Sequence, residues 1–479
     1  MTIAATIPLM PILPLIVLSA GSVATILAAA FYRSHRLTFF LTVAAIVVAL
    51  FSLGAASTYS PARVTSLLLV DAYAVFFSGL ILFSALVVTL LSYDYMKDKR
   101  EDPAEYYMLL LISTIGAVIL VASIHFASFF LGLEILSVSL YALIGYDRRT
   151  PAIEAGLKYL VLAAASACFL LFGMALVYAQ CGTMSFAEIT SKISRTAGTD
   201  LVSLVATVMI LVGVGFKISF VPFHMWTPDV YQGSPAPISA YIATASKGAI
   251  FALLLRYFAD GQLLPHEALF LILTVIAIIS MFVGNLLALF QTNIKRLLAY
   301  SSIAHMGYVL VAFLSSGPSR VSAVAFYLVS YFVMTLGAFG VITLLSTKSN
   351  DAELIEKYRG LFGRRPGLAI ALTAMLLSLA GMPLTAGFIG KFYIVTAATG
   401  SALWLLVITL LVNSAISLFY YLRVIATMCV GEAEPGAGFP ATMLTGSAVL
   451  VALLVVLVWL GVYPTPVLDM IQAIRLGTG

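Results

Sequence analysis

Apolar residues run along this chain in stretches of spanning length, each closed by a short polar or Gly/Pro-bearing gap. They lie near 8–32, 37–58, 67–92, 107–124, 126–146, 154–180, 201–222, 237–260, 266–290, 297–314, 321–346, 366–399, 402–428 and 441–463. About 20 apolar residues in a helix cross the hydrocarbon core of a bilayer. The pattern therefore predicts an all-α polytopic membrane protein of about fourteen transmembrane helices. The fourth and fifth stretches part only near 123–125, and thirteen would be the count if they were one. The first stretch lacks a basic leader and is long enough to span, so it reads as a membrane helix rather than a cleavable signal.

Composition sharpens this by exclusion. The 479 residues are 62% hydrophobic and 9% charged. So little charge cannot cover the surface of water-soluble domains, nor does it fit a disordered chain. The three cysteines, Cys168, Cys181 and Cys429, are far apart and form no CxxC or Cys/His cluster. The chain is expected to hold no zinc, haem or iron–sulfur cluster of its own. Cys168, inside an apolar run, reads as a small core residue.

Charge also orients the chain. Of 25 Lys and Arg residues, 15 fall after odd-numbered stretches: Arg33, Arg36, Lys97, Lys99, Arg100, Arg148, Arg149, Lys295, Arg296, Lys348, Lys357, Arg359, Arg364, Arg365 and Arg423. Only Arg63, Lys192, Arg195, Arg256 and Arg320 fall after even-numbered ones, and Arg475 lies in the C-terminal tail. The positive-inside rule then places odd loops in the cytoplasm and both termini outside, which needs an even number of spans.

Four lysines, Lys158, Lys217, Lys247 and Lys391, and one glutamate, Glu134, remain inside apolar stretches. A charge there costs several kcal/mol by insertion scales and has to face a protein interior or water. Glu134 sits well inside HFASFFLGLEILSVSLYALIGY. It suits a transport role or a carboxylate that fixes helix packing against a lysine. Lys217 follows Gly213 and Gly215 and precedes Pro222. Glycine loosens a helix and proline removes a backbone donor, so the seventh span reads as a broken helix carrying an ion site. A snorkelling lysine is the plainer alternative. His224 can relay protons or cap the break, and Asp229 reads as a loop carboxylate. Lys247, among Ala243, Ala245, Ser246 and Gly248, is expected to point at a neighbouring helix. Lys391 follows Gly381, Pro383, Gly387 and Gly390 in an unusually long stretch, a second broken helix. His305 is the titratable group of the tenth span, either linking two half-pathways or resting on a serine. Lys158 divides between snorkelling and relay. Lys295 and Arg296 read as anchors of the tenth span, and Asp71 as interfacial.

The broken seventh and twelfth spans are five apart, an odd number. Spans 4–8 and 9–13 would therefore run in opposite directions, as inverted repeats with sites near the midplane. The expected organisation is 1–104 for three N-terminal helices, 105–262 and 263–430 for two inverted five-helix repeats, and 431–479 for a last helix. The glycines precede the lysine in both breaks, but the prolines fall on opposite sides of it.

FKISFVPFHMWTPDVYQGSPAPISAYIATASK, QTNIKRLLAYSSIAHMGYVLVA and LAGMPLTAGFIGKFYIV closely resemble the antiporter-like subunits of respiratory complex I, the proton-translocating NADH:quinone oxidoreductase. The resemblance runs from about Glu105 to Arg423. One type in that family adds a long lateral helix, for which this chain has no room, and another carries glutamate where Lys391 stands. The resemblance implies a modulated Glu134–Lys217 pair in a first half-channel and a proton carried between halves by Lys247. His305 would lie in the connecting path and Lys391 would serve the exit side. It implies uptake from the cytoplasm of a bacterium and release outside. It also implies other membrane-arm subunits as partners, with NADH, FMN, iron–sulfur clusters and quinone bound elsewhere in the complex. A subunit of an Mrp-type cation/proton antiporter shares these motifs and is the alternative. A solute transporter and an inactive structural spacer are the remaining readings.

Overall fold

The computed structural model describes residues 9–99, 103–195, 201–258, 267–317, 319–347, 351–431 and 444–474. The expected boundary at 262/263, and Arg100, Lys348 and Arg475 of the charge argument, lie outside the described residues.

The chain is helical almost throughout. In order come α1 (Leu13–Tyr32), α2 (His35–Thr58), α3 (Ala72–Lys99), α4 (Ala104–Ala122), α5 (Phe126–Ile144), α6 (Thr150–Cys181), α7 (Phe186–Arg195), α8 (Leu201–Ile218), α9 (Trp226–Gly233) and α10 (Ala236–Tyr241). Then follow α11 (Lys247–Tyr257), α12 (Glu267–Leu289), α13 (Ile294–Leu314), α14 (Ser319–Leu345), α15 (Leu361–Arg364), α16 (Pro366–Ala380), α17 (Ala386–Gly400), α18 (Trp404–Cys429), α19 (Leu444–Val462) and α20 (Thr465–Gln472). A two-stranded antiparallel hairpin, β1 (Ala62–Arg63) and β2 (Leu69–Val70), joins α2 to α3.

Among the described residues, 13 helical segments are long and apolar enough to cross a membrane. The fourteenth crossing, twelfth in order, is split into α16 and α17. The close fourth and fifth stretches are two helices. Residues 123–125 are extended, and their backbone groups are taken up on both sides. Ile124 N–H donates to Leu67 O (3.1 Å), and Phe126 N–H donates to Met184 O (2.9 Å). His125 then caps α5 by accepting from Ala127 N–H (3.1 Å). With these groups paired to neighbouring segments, the break forms without glycine or proline.

The most enclosed crossings are α10–α11, fully buried, and α13 and α14, each 94% buried. The flanking helices shield them, and α6 is only 33% buried. Cys168 is therefore exposed on the outer face of α6, not in the core as expected, because its helix turns that side away from the bundle. Asp71 also departs from expectation. It is buried rather than interfacial, paired with Arg256 (2.7 and 3.0 Å), while Arg256 Nε–H also donates to Val121 O (3.1 Å). Arg256 is thus a buried residue in the last turn of α11, not part of a loop. The pair ties together the ends of α3, α4 and α11.

Candidate functional site

The seventh crossing breaks where Gly213, Gly215 and Pro222 foretold. α8 ends at Ile218 and α9 begins at Trp226. The freed groups find partners within the protein: Trp226 Nε1–H donates to Phe216 O (2.8 Å), Phe220 N–H to Gly215 O (2.8 Å) and Val221 N–H to Ser280 Oγ (3.0 Å). Lys217 lies in the last turn of α8, 3% exposed, where orphan carbonyls favour a cation. Its ammonium donates to Ser137 Oγ (2.7 Å) and Tyr159 OH (3.3 Å) and lies 4.8 Å from the Tyr159 ring centre. Glu134, half-buried on α5, lies one turn from Ser137 on the same face. No ion pair within 4 Å joins Glu134 to Lys217; on α5 the lysine's acceptor is Ser137.

His224 lies in the break and is buried, and its Nδ1 meets no hydrogen-bond partner among the described residues. Asp229 is not in a loop. It opens α9 and bridges Lys158 (2.9 Å) and Arg296 (2.7 Å). Lys158 also pairs with Glu154 (2.7 Å), so it neither snorkels freely nor joins the buried lysines.

Lys247 is fully buried. Immediately before it the helix widens into a π-helical turn, Ile242–Ser246, a distortion frequent at functional sites. Its ammonium donates to Ser302 Oγ (2.8 Å) on α13, and that hydroxyl accepts from Tyr331 OH (2.8 Å) on α14. Tyr231 OH lies 3.4 Å from the same hydroxyl. One turn further along α13, His305 rests on tyrosines rather than on a serine. Nδ1 shares a hydrogen bond with Tyr327 OH (2.7 Å) and Nε2 with Tyr421 OH (3.3 Å), and Tyr421 in turn bonds Ser301.

The second break lies at Gly381, whose φ of +87° ends α16 in the left-handed conformation. A Cβ there would lie 2.9 Å from Lys391 Cδ, so the position needs glycine for space as well as for backbone. Lys391, in the second turn of α17, reaches back across the break. It donates to Ala380 O (2.8 Å), Leu379 O (3.2 Å) and Ser414 Oγ (2.7 Å). A cation thus satisfies the last carbonyls of the preceding half-helix. Between His305 and Lys391 stands Tyr308, its ring 5.4 Å from the histidine ring and 5.1 Å from the ammonium.

Sequence reading missed one further charge. Lys295 is no surface anchor: it is fully buried, paired with Asp351 (2.9 Å), and donates to Ser234 O (2.6 Å) and Gln232 O (2.9 Å) at the end of α9. Tyr95 OH donates to the other Asp351 oxygen (2.8 Å). No signal near Asp351 in the chain marks it, because the pairing joins residues 56 apart. The hydroxyls were more legible, since Ser302 lies three residues before His305 and so on one helical face.

Two broken helices, with buried lysines and a histidine held by hydroxyls between them, define a polytopic helical membrane protein of the antiporter-like fold. The transmembrane-domain family of NADH:quinone oxidoreductase and Mrp antiporters matches residues 123–417, and this chain belongs to that family. It is 46% identical over 463 residues to NADH-quinone oxidoreductase subunit N of Methylococcus capsulatus, covering 96% of this chain and 93% of that protein. It is 45% identical over 477 residues to subunit N of Ectopseudomonas mendocina, covering 97% and 96%. Among solved structures it resembles a chain of respiratory complex I from Thermus thermophilus with bound aureothin, at 34% identity and TM-score 0.82, over 97% of this chain and 100% of that one. A chain of the Mrp complex from Dietzia sp. DQ12-45-1b shares the fold at TM-score 0.83 and 19% identity, over 97% and 96%.

Proposed function

We propose that this chain is a proton-translocating membrane-arm subunit of an NADH:quinone oxidoreductase in a bacterial inner membrane. The observation that carries the reading is a set of buried lysines and a histidine, each held by a hydroxyl. Lys217 meets Ser137 and Tyr159, Lys247 meets Ser302, His305 meets Tyr327 and Tyr421, and Lys391 meets Ser414. The relatives named subunit N, at 45–46% identity, favour this over the Mrp reading, whose likeness is one of fold.

In this mechanism Glu134 and Lys217 work as a switchable pair. With the lysine on Ser137 the carboxylate is released. When the ammonium swings one turn along α5 to Glu134, its positive field at Lys247 falls and Lys247 takes up a proton; when it returns to Ser137 the field rises and that proton moves on. From Lys247 the proton passes by way of Ser302 and the tyrosine hydroxyls to His305, then to Lys391 and the outer side. His224, with its unpartnered nitrogen, adds a proton-accepting position between Lys217 and Lys247. Uptake is from the cytoplasm and both termini are outside. The two inverted units are 105–262 and 263–430, flanked by 1–104 and 431–479. Redox energy comes from partner subunits that hold NADH, FMN, iron–sulfur clusters and quinone, and it reaches this chain as a conformational or electrostatic change.

The test is Lys217→Ala in the assembled complex. NADH-driven acidification of vesicles is expected to fall several-fold while the complex stays intact. Unchanged proton pumping by that variant would end the mechanism, and normal assembly with lost pumping would exclude an inactive spacer.

A further inference from the structure

The surroundings of Lys247 are strongly asymmetric. On the side where α10 enters, hydroxyls crowd the site. Ser302, Tyr231 and Tyr331 meet at the lysine, Ser84 bonds Thr244 (2.7 Å), and Ser234 bonds Ser239 (2.8 Å). On the other side, residues 248–255 of α11 carry no polar side chain, and residues 306–314 of α13 carry only Tyr308. The Tyr308 hydroxyl is turned away, accepting from Asn285 Nδ2 (2.9 Å) on α12.

That apolar side is filled by phenyl rings in edge contact. Phe251, four residues or about one turn beyond Lys247, meets Phe220 from the break after α8 at 6.4 Å and Phe313 at the end of α13 at 6.1 Å. Phe313 meets Phe258 at 5.8 Å. None of the four is more than 2% exposed. Gly248 lies so close to Phe332 of α14 that a Cβ would strike its ring, so a fifth phenyl group seats beside the lysine. Beyond the rings the Arg256–Asp71 pair ties α3, α4 and α11 together.

Resting on the proposed function, we propose that Phe220, Phe251, Phe313 and Phe258 form a dry plug that closes Lys247 to the outer side. A proton on Lys247 then leaves only sideways, toward Ser302 and His305. Apolar constrictions that exclude water stop ions and proton wires alike, and the edge-contacting rings come from three segments; the nearby Tyr73 hydroxyl is engaged with Ala252 O (2.6 Å). The plug separates the two access sides at Lys247, a condition coupled pumping requires of any shared carrier.

The experiment uses the purified complex in proteoliposomes, carrying Phe251→Ser, Phe251→Gln or Phe251→Leu. An imposed pH gradient is followed by an entrapped dye with NADH oxidation stopped, and pumping is followed with it running. Phe251→Ser and Phe251→Gln are expected to speed decay of the gradient several-fold while NADH oxidation persists. Phe251→Leu should hold the gradient like the parent. Phe251→Gln fills more of the ring's volume than serine and decides the matter if the serine variant does not assemble. Assembled Phe251→Gln complexes that hold the gradient like the parent would overturn the plug. Lys217→Ala run in parallel separates the two ideas: normal pumping there sinks the relay, whereas passive decay reads the plug alone.

Discussion

Lys217, Lys247 and Lys391 show how a buried cation is kept without a buried counter-ion. Each donates to a serine hydroxyl at 2.7–2.8 Å, and Lys391 also reaches the last carbonyls of α16. A hydroxyl is a weak partner that a lysine can leave, which a carboxylate at the same place would not be. Ser137→Ala should therefore disturb Lys217 directly. Loss of a buried hydrogen bond to a charged group costs about 1.5–3 kcal/mol. Pumping is expected to drop while NADH oxidation by the assembled complex continues, as dye-quench assays on vesicles would record. Arg256 and Asp71 are the opposite case, a fixed bidentate pair with both side chains buried. Asp71→Ala leaves the guanidinium uncompensated and should cost about 3–5 kcal/mol. A lowered melting temperature of the solubilised protein would be the measure, and an unchanged one would contradict the assignment.

Whole elements are interrupted where ions sit. The seventh crossing places its lysine before the break and the twelfth places it after, matching the prolines on opposite sides in the sequence. The enclosed eighth crossing is interrupted differently, by the π-helical turn Ile242–Ser246. Its last residue precedes Lys247, so the turn sets the direction in which that lysine leaves the helix. At the twelfth crossing the break depends on Gly381. Gly381→Ala puts a side chain on a left-handed backbone and a Cβ into the Lys391 stem. The expected outcome is impaired pumping and reduced yield of assembled complex, read on native gels alongside vesicle acidification. Parent-like behaviour would show that the half-helices can part without it.

At the scale of the whole molecule the orientation is open to direct measurement. Basic residues gather after odd-numbered spans, and Arg148 and Arg149 fall between α5 and α6 on that side. A cysteine at Arg148 should react with an impermeant maleimide in inside-out vesicles and not in intact cells. A cysteine at Gly182, in the turn after α6, should do the reverse. These probes belong in a chain whose Cys168, Cys181 and Cys429 are replaced. Inverted labelling would reverse the direction of every proton step proposed for this chain.

The helical spans, the two broken helices and the buried Lys217, Lys247 and Lys391 were legible in the sequence, because each rests on local physics. A bilayer fixes helix length, glycine and proline fix where a helix can part, and a charge in an apolar run is conspicuous wherever it points. The sequence also placed Asp71, Arg256, Asp229 and Lys295, but misjudged them as interfacial, loop or anchoring groups. Their pairing comes from partners 56 to 185 residues away in the chain, which no local pattern encodes. The same holds for Ser137 beneath Lys217, the tyrosines around His305 and the phenyl rings beyond Lys247. Serine, tyrosine and phenylalanine are ordinary in membrane helices, and only helix packing decides which of them meet a lysine and which keep water from it.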